Sequence, residues 1–199
     1  ASSAASDVYK RQQKEEWIHV IEDDSEENRE YAAHKARALA DRYYGKEIFV
    51  RGLIEFTNYC KNDCYYCGIR CSNKKANRYR LSEEDILACC EEGDRLGFRT
   101  FVLQGGEDPY YTDDKIVDIV REIKRRYPEH AVTLSIGERE RESYERFFAA
   151  GADRYLLRHE TANDTHYRKL HPESMSLSHR KQCLRDLKEI GYPVSYTHL

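Results

Sequence analysis

Apolar residues along this chain recur in two alternating patterns. Segments with a helical period come first at 25–44, opened by Asp24/Ser25 and a Glu-Glu pair and closed at Gly45. Ser82-Glu-Glu-Asp85 is a capping-box-like start. It opens a helix with Ile86, Cys89/Cys90, Gly93 and Leu96 on one face, ending at Gly97. Residues 113–127 place Ile116, Ile119, Val120, Ile123 and Tyr127 at a 3.6 period, and Pro128 stops them. Two more helices are predicted at about 139–150, with Tyr144, Phe147 and Phe148 inward and Gly151 as cap, and at about 176–190, with Cys183, Leu184, Leu187 and Ile190 on one face. Between them lie short apolar runs: 46–56, Thr100–Leu103, Ala131–Leu134 and Arg154–Leu157, with 192–193 opening a fifth.

This β-α-β-α alternation with near-continuous apolar strands predicts an α/β fold, a parallel sheet flanked by helices. Either a doubly wound sheet or a (β/α)8 barrel begins this way. A barrel takes about 250 residues, so this segment supplies roughly half of one.

Composition narrows the classes. The 199 residues are 40% hydrophobic and 35% charged, which suits one soluble globular domain. Lys plus Arg number 33 against 36 Asp plus Glu, so neither a nucleic-acid surface nor a membrane-binding face is expected. No apolar run approaches the roughly 20 residues that span a bilayer, and no signal peptide is evident. Six of the seven cysteines fall within 60–90, three of them at metal-ligand spacing, which points to a reducing cytoplasm rather than to disulfides.

The chemistry concentrates just after the strands. Cys60-Lys-Asn-Asp-Cys64-Tyr-Tyr-Cys67 is C-x3-C-x2-C, following strand 1. Three thiolates suit an iron–sulfur cluster with one open iron better than a closed four-ligand zinc site. The alternative is a structural metal site; Cys71 as a fourth ligand would close the open position. Cys89, Cys90 and Cys183 are expected in the core.

Gly105-Gly106-Glu107 follows strand 2, where glycines allow close backbone approach to a ligand and Glu107 can accept from an ammonium group. Ser135 and Glu138 follow strand 3, and Arg158-His-Glu-Thr161 follows strand 4. Ligands of α/β folds bind at this carboxyl end of the sheet. Tyr66 is either a surface aromatic or a ring against an adenine. Glu160, beside an apolar strand, needs a cationic partner. Arg180 is either solvated or paired with a carboxylate. His159, His166 and His171 are expected to be structural or exposed.

Both ends lack a pattern that joins them to their neighbours. The only methionine is Met175. Residues 1–12 and 194–199 read as non-native adapter sequence and are set aside. That leaves a helical lead-in at 13–45 and a partial barrel at 46–193.

In order, the blocks Cys60–Arg70, Asn77 with Tyr79-Arg80, Leu103-Gln-Gly-Gly-Glu-Asp-Pro-Tyr110, Leu134–Glu138, Tyr155–Ala162 and Leu170-His-Pro172 form a series. Over about 45–193 this series resembles the radical S-adenosylmethionine (SAM) [FeFe]-hydrogenase H-cluster maturases of the maturation-protein-E type, whose relatives include methylornithine synthase and biotin synthase. The resemblance implies the N-terminal part of a TIM barrel of the radical-SAM type, cut to about four or five βα units. It implies that Cys60, Cys64 and Cys67 hold a [4Fe-4S] cluster. It assigns Tyr66, Gly105, Gly106, Glu107, Ser135, Glu160 and Arg180 to SAM, and Gln104, Arg158 and Thr161 to the substrate.

The implied reaction is one-electron reductive cleavage of SAM to methionine and a 5′-deoxyadenosyl radical, serving H-cluster assembly. An iron-complex or small-molecule substrate, an external one-electron reductant and the partner maturases F and G are implied with it. Family members have a complete barrel and a C-terminal region. A half-sheet exposes a strand edge and apolar faces. The 199-residue chain expressed by itself is therefore expected to be insoluble or inactive. Soluble, monomeric, SAM-cleaving material would overturn that expectation.

Overall fold

Each strand hydrogen-bonds to the next one in sequence. In the computed structural model, which describes residues 14–193, β1 (Gly52–Thr57), β2 (Thr100–Gly105), β3 (Ala131–Ser135) and β4 (Arg154–Tyr155) form one parallel sheet in the order β1-β2-β3-β4. A doubly wound sheet reverses strand order at a switch point. The sequential order here is the wall of a barrel, and it decides between the two folds that the pattern left open.

The pleat separates two faces. On one, Ile54, Phe56, Phe101, Leu103, Val132 and Leu134 are buried. They share a core with the apolar sides of α3 (Glu83–Arg95), α4 (Asp113–Arg126), α5 (Arg141–Ala150) and α7 (Leu177–Ile190). On the other face the register aligns Leu53 with Val102 and Thr133, and Glu55 with Gln104 and Ser135. Leu53 is 55% exposed, and Gln104 Nε2 donates to Glu55 Oε1 at 3.0 Å. This second face corresponds to the inside of a barrel.

Local signals set the helix boundaries. Ser82 and Asp85 form a reciprocal capping box at the start of α3. Thr112 caps α4, and left-handed Gly151 and Gly191 end α5 and α7. The chain divides into two compact units between Phe49 and Val50. Within the first, α1 (Lys14–Glu22) is followed by α2 (Glu26–Tyr44), whose N-cap is Ser25. No helix among the described residues is long and apolar enough to cross a membrane. Residues 1–13 and 194–199, most of which were read as adapter sequence, lie outside the described residues.

Several expectations are corrected. The strand read over 46–56 begins only at Gly52; Ile48 is 88% exposed, and β-propensity makes no strand without a partner to pair with. β4 is two residues long, though Leu156 N–H still donates to the Leu134 carbonyl at 2.8 Å. Cys89, Leu96 and Phe148 are exposed, because Leu87 rather than Cys89 completes the buried stripe of α3 and Phe148 lies at the edge of α5.

Residues 192–193 form no strand; Tyr192 instead packs edge-on against Phe148 and donates to the Tyr144 carbonyl at 3.0 Å. A short helix, α6 (Asp164–Leu170), was not anticipated. Seven residues are too few to show a period, although its Asn163 cap was readable.

Candidate functional site

The cysteine loop leaves β1 at the carboxyl end of the sheet and is held by its own backbone. Cys67 N–H donates to the Cys64 carbonyl at 3.0 Å, and Cys71 N–H to that of Asn62 at 3.0 Å. Arg78 gathers the loop from one side: its guanidinium donates to the carbonyls of Ile69 at 2.8 Å, Arg70 at 2.7 Å and Asn73 at 3.2 Å, and also to that of Asn58. Cys60, Cys64 and Cys67 are partly buried and free of disulfides, while Cys71 is exposed.

The three thiols act on one another. Burial, then the neighbouring Cys60 and Cys67, push the Cys64 thiol up to about 11, and burial also raises Cys60. Among the described residues no three His, Cys, Asp or Glu side chains converge as ligands of a single ion. Thiolates of a polynuclear cluster each take a different iron. Neighbouring thiols whose deprotonation costs more together than apart fit a group that brings several positive charges.

The Gly-Gly-Glu loop sits against this one. Gly106 is buried, and a Cβ there would run into the Tyr59 carbonyl oxygen and stand 2.7 Å from Cys60 Cβ. At Gly105 a Cβ would come within 2.7 Å of Thr57 Cγ2. Lys61 N–H donates to the Glu107 carbonyl at 2.9 Å, and Lys61 Nζ pairs with Glu107 Oε2 at 3.2 Å. Glu107 Oε1 accepts from Glu138 N–H at 2.9 Å, over Gly137, whose φ of +78° and missing Cβ leave the carboxylate its space.

Asp108, 1% exposed, ties the same loops together from below. It takes a bidentate pair from Arg80 at 2.7 and 2.9 Å and a hydrogen bond from Thr57 Oγ1 at 2.8 Å. Arg80 itself lies over the Tyr59 ring at 3.9 Å. Burial would raise the Asp108 pKa, but the Arg80 and Thr57 hydrogen bonds outweigh it and hold the carboxyl below its ordinary value.

A hollow of about 250 Å3 opens on the inner sheet face beside these loops. Its walls include Gln104, Gly105, Ser135, Arg158, Glu160 and Arg180, so six of the residues read from sequence meet there, joined by Glu55. A larger groove of about 800 Å3 runs between α3 and α4 among charged side chains and includes none of these residues.

Arg180 is buried rather than solvated. Its Nε lies 2.6 Å from Glu138 Oε1, not aligned as a hydrogen bond, and Nη1 donates to the Arg158 carbonyl at 3.1 Å. Burial disfavours its charge, but Glu138 more than compensates, and the guanidinium pKa is raised. Glu160, read as needing a cationic partner beside an apolar strand, is exposed and holds a left-handed φ of 63°. Such strain in a non-glycine residue collects at functional sites.

Tyr66 is not part of the hollow's wall but neighbours Glu160, which is; burial and then the Glu160 carboxylate raise its phenol pKa. Thr161 is not part of the hollow's wall; its hydroxyl accepts from Asn163 N–H at 3.2 Å in the turn before α6. Sequence reasoning gave no role to Lys61, Arg80, Asp108 or Glu55. Only Glu55 had a clear signal, a carboxylate out of phase with Ile54 and Phe56 near the end of a strand.

Comparison with known proteins places this geometry. A family model described as the Radical SAM superfamily matches residues 54–199. The "[FeFe] hydrogenase maturase subunit HydE" of Thermotoga maritima is 52% identical over 157 residues, 79% of this chain and 44% of that protein. The "3-methylornithine synthase" of Methanosarcina acetivorans is 34% identical over 171 residues, 85% of this chain and 48% of that protein. The crystal structure of methylornithine synthase (PylB) superposes with a TM-score of 0.76 at 32% identity, covering 88% of this chain and 52% of that one. HydG, a maturase of the [FeFe]-hydrogenase, also gives 0.76, at 25% identity over 86% of this chain and 40% of that one. The chain thus spans about half the length of the relatives it matches.

Two substitutions test the packing of the loops. Gly106→Ala in the full-length protein is expected to lose most of its reconstitutable iron and sulfide, because its Cβ meets backbone; wild-type iron content would contradict that contact. Asp108→Asn removes a charged partner from Arg80 and is expected to cost on the order of 2 kcal/mol in urea unfolding at neutral pH. A depressed folded pKa gives stability that is present above the unfolded carboxyl value of about 3.9 and is lost as pH falls through the lower folded value. The difference between wild type and Asp108→Asn should therefore shrink across that acid range; a gap independent of pH would show that the Asp108 charge is not its source.

Proposed function

The chain belongs to the radical SAM superfamily, and from that premise we propose that it forms the cluster- and SAM-binding half of an [FeFe]-hydrogenase H-cluster maturase. The observation that carries the reading is the seating of the Gly105–Glu107 loop directly on the cysteine loop. A ligand held by that loop lies next to whatever the thiols hold.

Cys60, Cys64 and Cys67 would hold a [4Fe-4S] cluster. When bound, the cluster supplies the electron that cleaves SAM reductively to methionine and a 5′-deoxyadenosyl radical. The chain's own residues bind and orient. The Gly105-Gly106 backbone approaches the methionyl end. The Glu107 carboxylate accepts from its ammonium group, in place of Lys61 Nζ. Tyr66 would meet the adenine, and Ser135, Glu160 and Arg180 would hold the remainder of SAM. Gln104 and Arg158 present donors to the substrate, an iron complex or small molecule, from the inner sheet face, while Thr161 holds the turn behind them. Arg180, fixed by Glu138 and by the Arg158 carbonyl, braces that wall without a mobile charge.

Partner maturases F and G and an external one-electron reductant complete the proposed setting, in a reducing cytoplasm that keeps free thiols available. The identity to methylornithine synthase and the fit to its structure support a second reading, a radical SAM enzyme acting on a small metabolite. The higher identity to the hydrogenase maturase favours the first.

Anaerobic reconstitution of the full-length enzyme, reduction and addition of SAM should yield 5′-deoxyadenosine; none would defeat both readings. Complementation of a strain lacking the corresponding hydrogenase maturase should restore hydrogenase activity. Cleavage of SAM without complementation would favour the metabolite enzyme.

A further inference from the structure

The connector between α6 and α7 grips the cysteine loop at three successive residues. Tyr65 N–H donates to the Leu170 carbonyl at 2.9 Å, the last residue of α6. The Tyr66 hydroxyl lies 3.2 Å from His171 Nε2. Cys64 Sγ lies 3.7 Å from Met175 Sδ, and Met175 is buried. His171 is the centre of this grip, at 2% exposure, even though its position in the sequence suggested an ordinary structural or exposed histidine.

The hydrogen bonds of His171 define its proton. Nδ1 lies 3.0 Å from the Tyr167 carbonyl oxygen, which can only accept. Nδ1 therefore carries the hydrogen, and Nε2 of the neutral ring is left as an acceptor. The Tyr66 phenol is then the donor across the 3.2 Å contact, with the Glu160 carboxylate as its other polar neighbour. The imidazole is itself immobilised, stacked on the Tyr167 ring at 3.9 Å and 18° and meeting the Tyr66 ring edge-on at 5.5 Å and 86°. Tyr66, in contrast, is 51% exposed.

We propose that His171 is a positioning residue for SAM: by accepting the Tyr66 hydroxyl hydrogen bond it fixes the orientation of the ring that meets the adenine. The inference rests on the reading that Tyr66 contacts SAM. It adds that a buried residue from the fourth βα unit sets the geometry of that contact. A half-exposed tyrosine left without this anchor has rotamer freedom to lose on binding.

Full-length holoenzyme variants separate the possibilities. His171→Phe keeps the stack on Tyr167 but removes the acceptor. It should raise the Kd and KM for SAM by about fivefold, the scale of one neutral hydrogen bond. Iron content, cluster spectrum and the 5′-deoxyadenosine rate at saturating SAM should stay near wild type. His171→Gln places an amide oxygen near Nε2 and should restore most of the affinity. Tyr66→Phe should weaken SAM as His171→Phe does, and the double variant should be no worse than either.

In the protein without cluster, imidazole 15N spectra should show His171 protonated at Nδ1, with its Nε2 resonance shifted by Tyr66→Phe. Unchanged SAM affinity in His171→Phe, additive losses in the double variant, loss of iron in His171→Phe, or an Nε2-protonated ring would each overturn the proposal. If wild-type holoenzyme fails to bind SAM, or Tyr66→Ala binds it as wild type does, the underlying reading of the site falls instead.

Discussion

The site depends on one backbone contact. Gly106 lies so close to Tyr59 and Cys60 that no side chain fits between them. The contact forces the end of β2 and the exit of β1 to share one wall, and it sets where the thiols stand relative to Glu107. Everything around it reinforces the same closure. Asp108 draws in Arg80 and Thr57 from one side, and Lys61 reaches back to Glu107 from the other. Because Asp108 is buried, leaving either partner unpaired would be costly, so the two loops are held as one body. A ligand of the Gly-Gly-Glu loop and a ligand of the thiols are thereby made neighbours by the fold.

The parallel sheet supplies the frame for that contact, and its sequential strand order gives the two faces their different work. The face bearing Ile54, Phe101 and Val132 buries against helices. The opposite face carries Glu55, Gln104 and Ser135 in one register row, level with the loops that hold the chemistry. A polar row at the carboxyl end of strands is costly in a closed core but suits a ligand cavity. The same row explains why a carboxamide and a carboxylate pair in the open on these strands.

Much of this could be read from the residues alone, for physical reasons. Helices α3, α4, α5 and α7 declared themselves through caps and periodic apolar faces, since capping and burial are local or nearly so. Strand ends were harder. Residues 46–51 have strand-like composition but no neighbour to pair with, and pairing is a tertiary event. The cysteine spacing and the glycine pair were legible because their chemistry lies in residue type and interval. Arg180 was ambiguous because its meaning lies in Glu138, 42 positions away, and no sequence interval signals a buried ion pair. The same holds for His171, whose role depends on Tyr66, 105 positions earlier in the chain.

The charge around the mouth gives these separate placements a common logic. Three thiols, Glu107, Glu138 and Glu160 share the mouth with Arg158, Arg180 and Lys61. Glu138 is committed to Arg180, and Glu107 is met by a lysine that is itself more than half exposed. An exposed ammonium is a weak partner, so Glu107 can exchange it for another cation at little cost. Burial, then the neighbouring Cys60 and Cys67, raise the Cys64 thiol to about 11, and thiols become anionic ligands when metal takes their protons. The demand for positive charge therefore grows as the thiols ionise. Under the proposed function, iron and then a ligand carrying an ammonium and a sulfonium would meet that demand. A chain whose overall net charge is only −3 concentrates that demand where four strands end.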